Sequence, residues 1–206
     1  MTLALVVITF AVTLAVVLFR PLRASAHCDT MAGPTAQDGL RALETGNVAL
    51  ALKWIGAAHE GELREVFEKA RAVRDLGPAA REVADHWFIE NLVRIHRVGE
   101  GAGFTGVQPY GVPVDERVAA ADLSIARGNL APLAGLVPAE RWAELERRFA
   151  VVLERKDYDS FDVAAGRAYI AAYVSFFKYA EGEDEHAGHA GHAAHADALA
   201  HTGHQH

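Results

Sequence analysis

Residues 43–48 read Leu-Glu-Thr-Gly-Asn-Val, and residues 125–130, 82 positions later, read Ile-Ala-Arg-Gly-Asn-Leu. The same offset carries Glu62, Leu63 and Phe67 onto Glu144, Leu145 and Phe149, and Trp87, Phe88, Leu92 and Ile95 onto Tyr169, Ile170, Val174 and Phe177. Apolar positions survive the offset while surface positions vary, as expected when two copies of one unit bury a common face. Within each copy the spacing is helical. Leu63, Val66, Phe67, Ala70 and Val73 recur every three or four residues, as do Ala84, Trp87, Phe88, Leu92 and Ile95. Gly77-Pro78 separates these two stripes, with proline placed to open the second helix.

No strand-like alternation of apolar and polar residues interrupts the pattern. The chain is therefore expected to be all-α, a single helical bundle built from two copies of a roughly three-helix unit over residues 27–98 and 117–180. That length is enough to bury a substantial core. Residues 99–116 form a Gly/Pro-rich connection containing Gly101-x-Gly103-x-x-Gly106. A dinucleotide fingerprint needs a strand before such glycines and a helix after them, and here a helix precedes them, so the stretch reads as a flexible crossover.

Composition narrows the function. Of 206 residues, 51% are hydrophobic and 23% charged, which suits a globular chain and excludes collagen-like or wholly disordered classes. A formal net charge of −7, with no Lys/Arg cluster, leaves no footprint for nucleic acid. The unusual counts are one Cys and eleven His.

Outside the body, Leu3 to Phe19 is polar only at Thr9 and Thr13, and Arg20-Pro21-Leu22-Arg23 and Ala24-Ser25-Ala26 follow. The Ala-x-Ala site predicts a signal peptide over residues 1–26, cleaved after Ala26, and export to the periplasm or beyond. The alternative is an uncleaved anchor over residues 3–19, with Arg20 and Arg23 holding the body in the cytoplasm. Residues 181–206 begin with Glu181-Gly182-Glu183-Asp184-Glu185 and continue in Ala, Gly and His, a composition expected to be disordered. His186, His189, His192, His195, His201, His204 and His206 lie there, and neutral imidazoles so spaced suit several exchangeable Cu, Ni or Zn ions.

Cleavage after Ala26 places His27-Cys28-Asp29-Thr30-Met31 at the new N-terminus. The His27 amine and imidazole with the Cys28 amide and thiolate make a nitrogen and sulfur donor set for copper, nickel or zinc, with Asp29 and Met31 as further donors. The competing reading makes Cys28 a small buried hydrophobe and His27 a frayed end. On the third helix, Glu82, His86, Glu90 and Arg97 lie near one stripe, with His96 beside them and Glu100 four residues on. His and carboxylate at that spacing can share a metal or a proton. At the 82-residue offset His86, Glu90 and His96 become Ala168, Ala172 and Lys178, so these polar groups are not part of the shared pattern. A salt-bridged surface, with Glu90 pairing Arg94, is the alternative.

Two resemblances accompany these residues. His27-Cys28-Asp29 is similar to the hook of nickel superoxide dismutase, His-Cys-Asp-x-x-Cys-Gly, which would make His27 and Cys28 ligands of a redox metal; the hook's second cysteine is Ala32 here. More of the chain, through His27 to Met31, Leu43 to Val48, Leu92 to Arg97 with Gly99 to Gly101, Phe104 to Gly106 and Gly166 to Tyr169, resembles a family of small exported bacterial helical proteins of unknown function. That resemblance implies a helical fold and an exported location, and no activity. Three functions follow as expectations: a metal-binding protein of the cell envelope, a dismutase-like redox metalloenzyme, and a structural or interaction bundle.

Overall fold

A computed structural model describes residues 27–182; the leader with its alternative anchor, and the seven tail histidines, lie outside the described residues. Among the described residues there are seven α-helices: α1 (Pro34–Thr45), the one-turn α2 (Ala49–Leu52), α3 (Glu60–Arg74), α4 (Pro78–Gly99), α5 (Glu116–Arg127), α6 (Trp142–Lys156) and α7 (Val163–Glu181). Short 3₁₀ turns at Ala57–His59, Ala131–Leu133 and Ala139–Arg141 complete the order. The extended pattern is confined to one isolated parallel bridge, Thr30 with Gln108. No helix among the described residues is long and apolar enough to cross a membrane.

The helix bounds follow the 82-residue offset: α1 maps onto α5, Ala57–His59 onto Ala139–Arg141, and α3 onto α6. Local chemistry sets those ends. Proline opens α1 and α4 at a position whose N–H has no helical partner to lose. Asp115 caps α5 by accepting from the Arg117 amide at 2.9 Å, and Asp162 caps α7 through the Ala165 amide at 2.9 Å. Both α1 and α5 stop at a glycine in the left-handed region, Gly46 (φ 75°) and Gly128 (φ 69°), where a side chain would clash with its own backbone. The following asparagine then turns the chain in the same way twice: Asn47 Oδ1 accepts from Ala49 N and Asn129 Oδ1 from Ala131 N, each at 3.1 Å.

Packing repeats as well. In the first half α4 lies against α3 and α1; in the second, α7 lies against α6 and α5. α3 is tied to α1 and α6 to α5 at equivalent carbonyls, Arg74 to Leu43 O (3.5 Å) and Lys156 to Ile125 O (3.2 Å). Phe88, Leu92, Ile95, Leu145, Phe176 and Phe177 are buried in one continuous core that joins the halves. Two members of the apolar stripes face water in part: Val73 is 43% and Trp87 40% exposed.

The connection between halves is pinned rather than free. The Met31 amide donates to Gln108 O (2.9 Å), the Gln108 amide to Asp29 O (2.8 Å) and the Val107 amide to Glu90 Oε1 (3.2 Å), while Phe104 and Val107 pack on the core. A glycine-rich composition permits mobility, but these backbone bonds satisfy loop amides and hold the loop against residues 29–31.

Candidate functional site

Residues 27–33 form a tight turn before α1, held by Gly33 N donating to Thr30 O at 3.0 Å. The turn folds inward, so that His27 (9% exposed) and Cys28 (6%) are buried between α4, α5 and α7. His27 Nε2 stands 2.8 Å from Asp122 Oδ2 and 3.1 Å from the Tyr173 hydroxyl, and that hydroxyl donates to Asp122 Oδ1 at 2.8 Å. An ionised carboxylate only accepts, so in the neutral ring Nε2 carries the proton and Nδ1, which has no hydrogen-bond partner among the described residues, keeps a bare lone pair.

The same logic applies to His96 on α4. Its Nδ1 lies 2.7 Å from the Trp54 carbonyl, an obligate acceptor, so the proton belongs on Nδ1 in the neutral ring. Nε2 is buried without a hydrogen bond; Glu100 Oε1 is 3.7 Å away, close enough to pair with the ring when it is protonated. Asp29 adds a third case: Oδ2 is 3.5 Å from Arg97 Nε, and Oδ1 makes no hydrogen bond. Arg97 donates to Glu100 Oε2 at 3.0 Å.

Electrostatics tie these groups to the thiol. Burial pushes Cys28 up to about 12, with the Glu100 carboxylate adding to the same direction. Burial also raises Asp29, against the pull of Arg97. Glu100 is buried too, which alone would raise it, but His96 and Arg97 together hold it below the usual range. Tyr173 is driven well above 10 by burial and by the Asp122 charge.

Next to this cluster, Asp38 on α1 accepts from Trp54 Nε1 (2.8 Å) and pairs with Lys53 Nζ (2.8 Å) and Arg41. Trp54 meets His96 and Tyr173 edge-on, with ring centroids 5.9 and 6.2 Å apart. These partners were not among the donors singled out from the sequence. Asp38, Trp54, Asp122 and Tyr173 come from four separate elements, and a signal was present only in hindsight: at the 82-residue offset they face Ala120, Leu136, Leu40 and Asn91.

The sequence candidates divide three ways. His27, Cys28, Asp29 and His96 are gathered into one buried region; Met31 is only partly buried against the core. His86 and Glu90 lie apart on an open part of α4, 3.6 Å from each other, and Arg94 turns away from Glu90 to Glu62 (2.5 Å) and Asn91 (3.1 Å). The tail histidines lie outside the described residues. Among the described residues no three His, Cys, Asp or Glu side chains converge closely enough to hold an ion as they stand.

No curated protein and no solved structure matches this chain. A family model does match, over residues 32–179, so it takes in all seven helices up to Tyr179 and starts just after the His27–Met31 turn. The chain belongs to this family, DUF6448, a family of unknown function.

Proposed function

We propose that this is an exported metal-binding protein that buffers or delivers Cu, Ni or Zn, gathering ions on its histidine-rich tail and holding one at the His27–Asp29 turn. The observation that carries this reading is the state of the two buried histidines. Each donates one ring N–H to a carboxylate or a backbone carbonyl and aims a bare nitrogen into the protein. Metal-ligating histidines are oriented in this manner, because the second hydrogen bond fixes the tautomer and sharpens the free lone pair. A buried nitrogen left without a partner otherwise costs stability for nothing.

His27 Nδ1, His96 Nε2 and the Cys28 sulfur form a borderline-to-soft set that favours the late first-row metals, and Asp29 Oδ1 is a further donor. Their final approach to an ion requires side-chain adjustment. The thiol is protonated at neutral pH, so an ion must displace that proton, and occupancy falls as pH falls. In the body that carries the turn, we read two copies of one helical unit, supported by element bounds that recur at 82 residues. Only the first copy supplies His96, since Lys178 stands at the equivalent place.

Metal counting after dialysis tests this. The full chain loaded with Ni(II), Cu(II) or Zn(II) is expected to retain several ions, and a chain ending at Glu181 to retain one. Cys28→Ser and His96→Gln are each expected to lose that last ion while keeping the helical circular dichroism. A shortened chain that retains none removes the turn as a site, and a full chain that retains none removes the function.

A further inference from the structure

A cleft of about 370 Å³ opens where α1, the segment after α2, the α6–α7 connection and α7 meet. Trp54 and Tyr173 line it, and the same two residues hold His96 and His27 from behind. Its size falls in the range of small-molecule sites. We propose that it binds a small planar carboxylate, with the ligand's ring on the tyrosines and its carboxylate on Arg41 and Lys156. This inference stands apart from metal binding and uses none of the proposed donors.

Charge is the first argument. In a chain of formal net charge −7, the lining carries Arg41, Lys53 and Lys156 against the single carboxylate of Asp38. Asp38 is already engaged by Trp54 and Lys53, and Lys53 is further committed to the Tyr158 hydroxyl at 2.8 Å. These buried groups form a satisfied floor. The rim cations have capacity left: Arg41, its side chain 60% exposed, gives one nitrogen to Asp38, and Lys156 gives one hydrogen bond, to Ile125 O. A guanidinium fork with a nearby ammonium suits a carboxylate.

Shape is the second. Tyr158, Tyr169 and Tyr173 form a ladder along one wall, with centroids 5.7 and 6.4 Å apart and interplanar angles of 32° and 26°. A flat ligand extends such a ladder by offset stacking with a larger contact area than a puckered ring makes. Gly166 keeps the wall in place, because a Cβ there would come 3.0 Å from Lys53 Cβ and 3.2 Å from Tyr158 Cε2. Inorganic phosphate would meet the cations but leave the rings unused.

Calorimetric titration of the full chain with 4-hydroxybenzoate in EDTA tests the inference without any contribution from metal. One saturable site per chain is expected, with phenol, cyclohexanecarboxylate and inorganic phosphate each at least ten-fold weaker. Arg41→Gln combined with Lys156→Gln is expected to weaken 4-hydroxybenzoate at least ten-fold while the helical circular dichroism is retained. Should that double variant fail to fold, Ser160→Trp, which fills the cleft without removing charge, is expected to abolish binding. Absence of saturable heat, phosphate binding as tight as 4-hydroxybenzoate, or indifference of a folded variant overturns the inference.

Discussion

The first half, α1 to α4, and the second, α5 to α7, share helix bounds, glycine stops, asparagine turns and even the cation that α3 and α6 each send to a carbonyl of the first helix in their half. Their buried polar groups are not shared. Asp38 faces Ala120 at the 82-residue offset, Trp54 faces Leu136, His96 faces Lys178, and Tyr173 faces Asn91. An apolar framework tolerates repetition because any well-packed copy serves. A buried charge or imidazole needs particular partners, which lie within the same half for Asp38 and His96 and in the other half for His27. The asymmetry therefore separates the shared apolar framework from the polar groups that only one half carries.

Making the halves alike at Asp38 is the severest way to break this contrast. Asp38→Ala copies Ala120 into the first half, but leaves Lys53, 8% exposed, without its carboxylate. Urea unfolding is expected to show a loss of about 3–5 kcal/mol, the usual cost of orphaning one member of a buried pair. A loss under ~1 kcal/mol would mean that Lys53 escapes to water and the pair is not a buried floor.

Gly39→Ala copies Ala121 in the same way, and here the difference is steric. A Cβ on Gly39 would come 2.6 Å from Ile89 Cδ1 and 2.7 Å from Leu92 Cδ2, so α1 sits closer on α4 than an alanine allows. Thermal and urea melts are expected to report a loss of about 1–3 kcal/mol from overpacking. Unchanged stability would show that α1 moves as freely as α5.

The mildest contrast lies between Glu62 and Glu144. Glu62 reaches across to Arg94 on the next helix, while Glu144 is hydrogen-bonded within its own helix by Arg147 and Arg148, which hold it down to about 2. A carboxylate with a depressed folded value stabilises above its ordinary range, and that contribution is lost as pH falls from about 4.5 towards about 2. Glu144→Gln is expected to flatten the acid limb of a stability-against-pH curve by slightly lowering stability at neutral pH while leaving it unchanged near pH 2. An acid limb steeper in the variant than in the parent would reverse the assignment.

The all-helical fold was legible from residues because helices depend on apolar spacing and on local stops such as Gly46-Asn47 and Pro78, all of which act within a few positions. The donor cluster was legible only in part. His27 and Cys28 announce themselves by type, but the partners of His27 are 95 and 146 residues away in sequence, at Asp122 and Tyr173. Helical spacing also misgroups His86 with His96. Ten residues turn a helix by roughly 1000°, or about 280° beyond two full turns, so the two rings face different sides. His96 is buried at 5% exposure while the His86 side chain is 61% exposed. The contacts of the crossover loop are illegible for a related reason: two of them are backbone bonds to residues 29 and 31, which leave no mark in side-chain composition.

The turn that opens the described fold has a bearing on the order in which the protein comes together. A ribosome makes residues 27–33 early and Tyr173 almost last, and the Asp122 and Tyr173 contacts of His27 cannot close until α7 exists. Ordering residues 27–33 must therefore await the last helix, although they are among the first of the described fold to be made. Until then the contacts that bury His27 against Asp122 and Tyr173 are unmade.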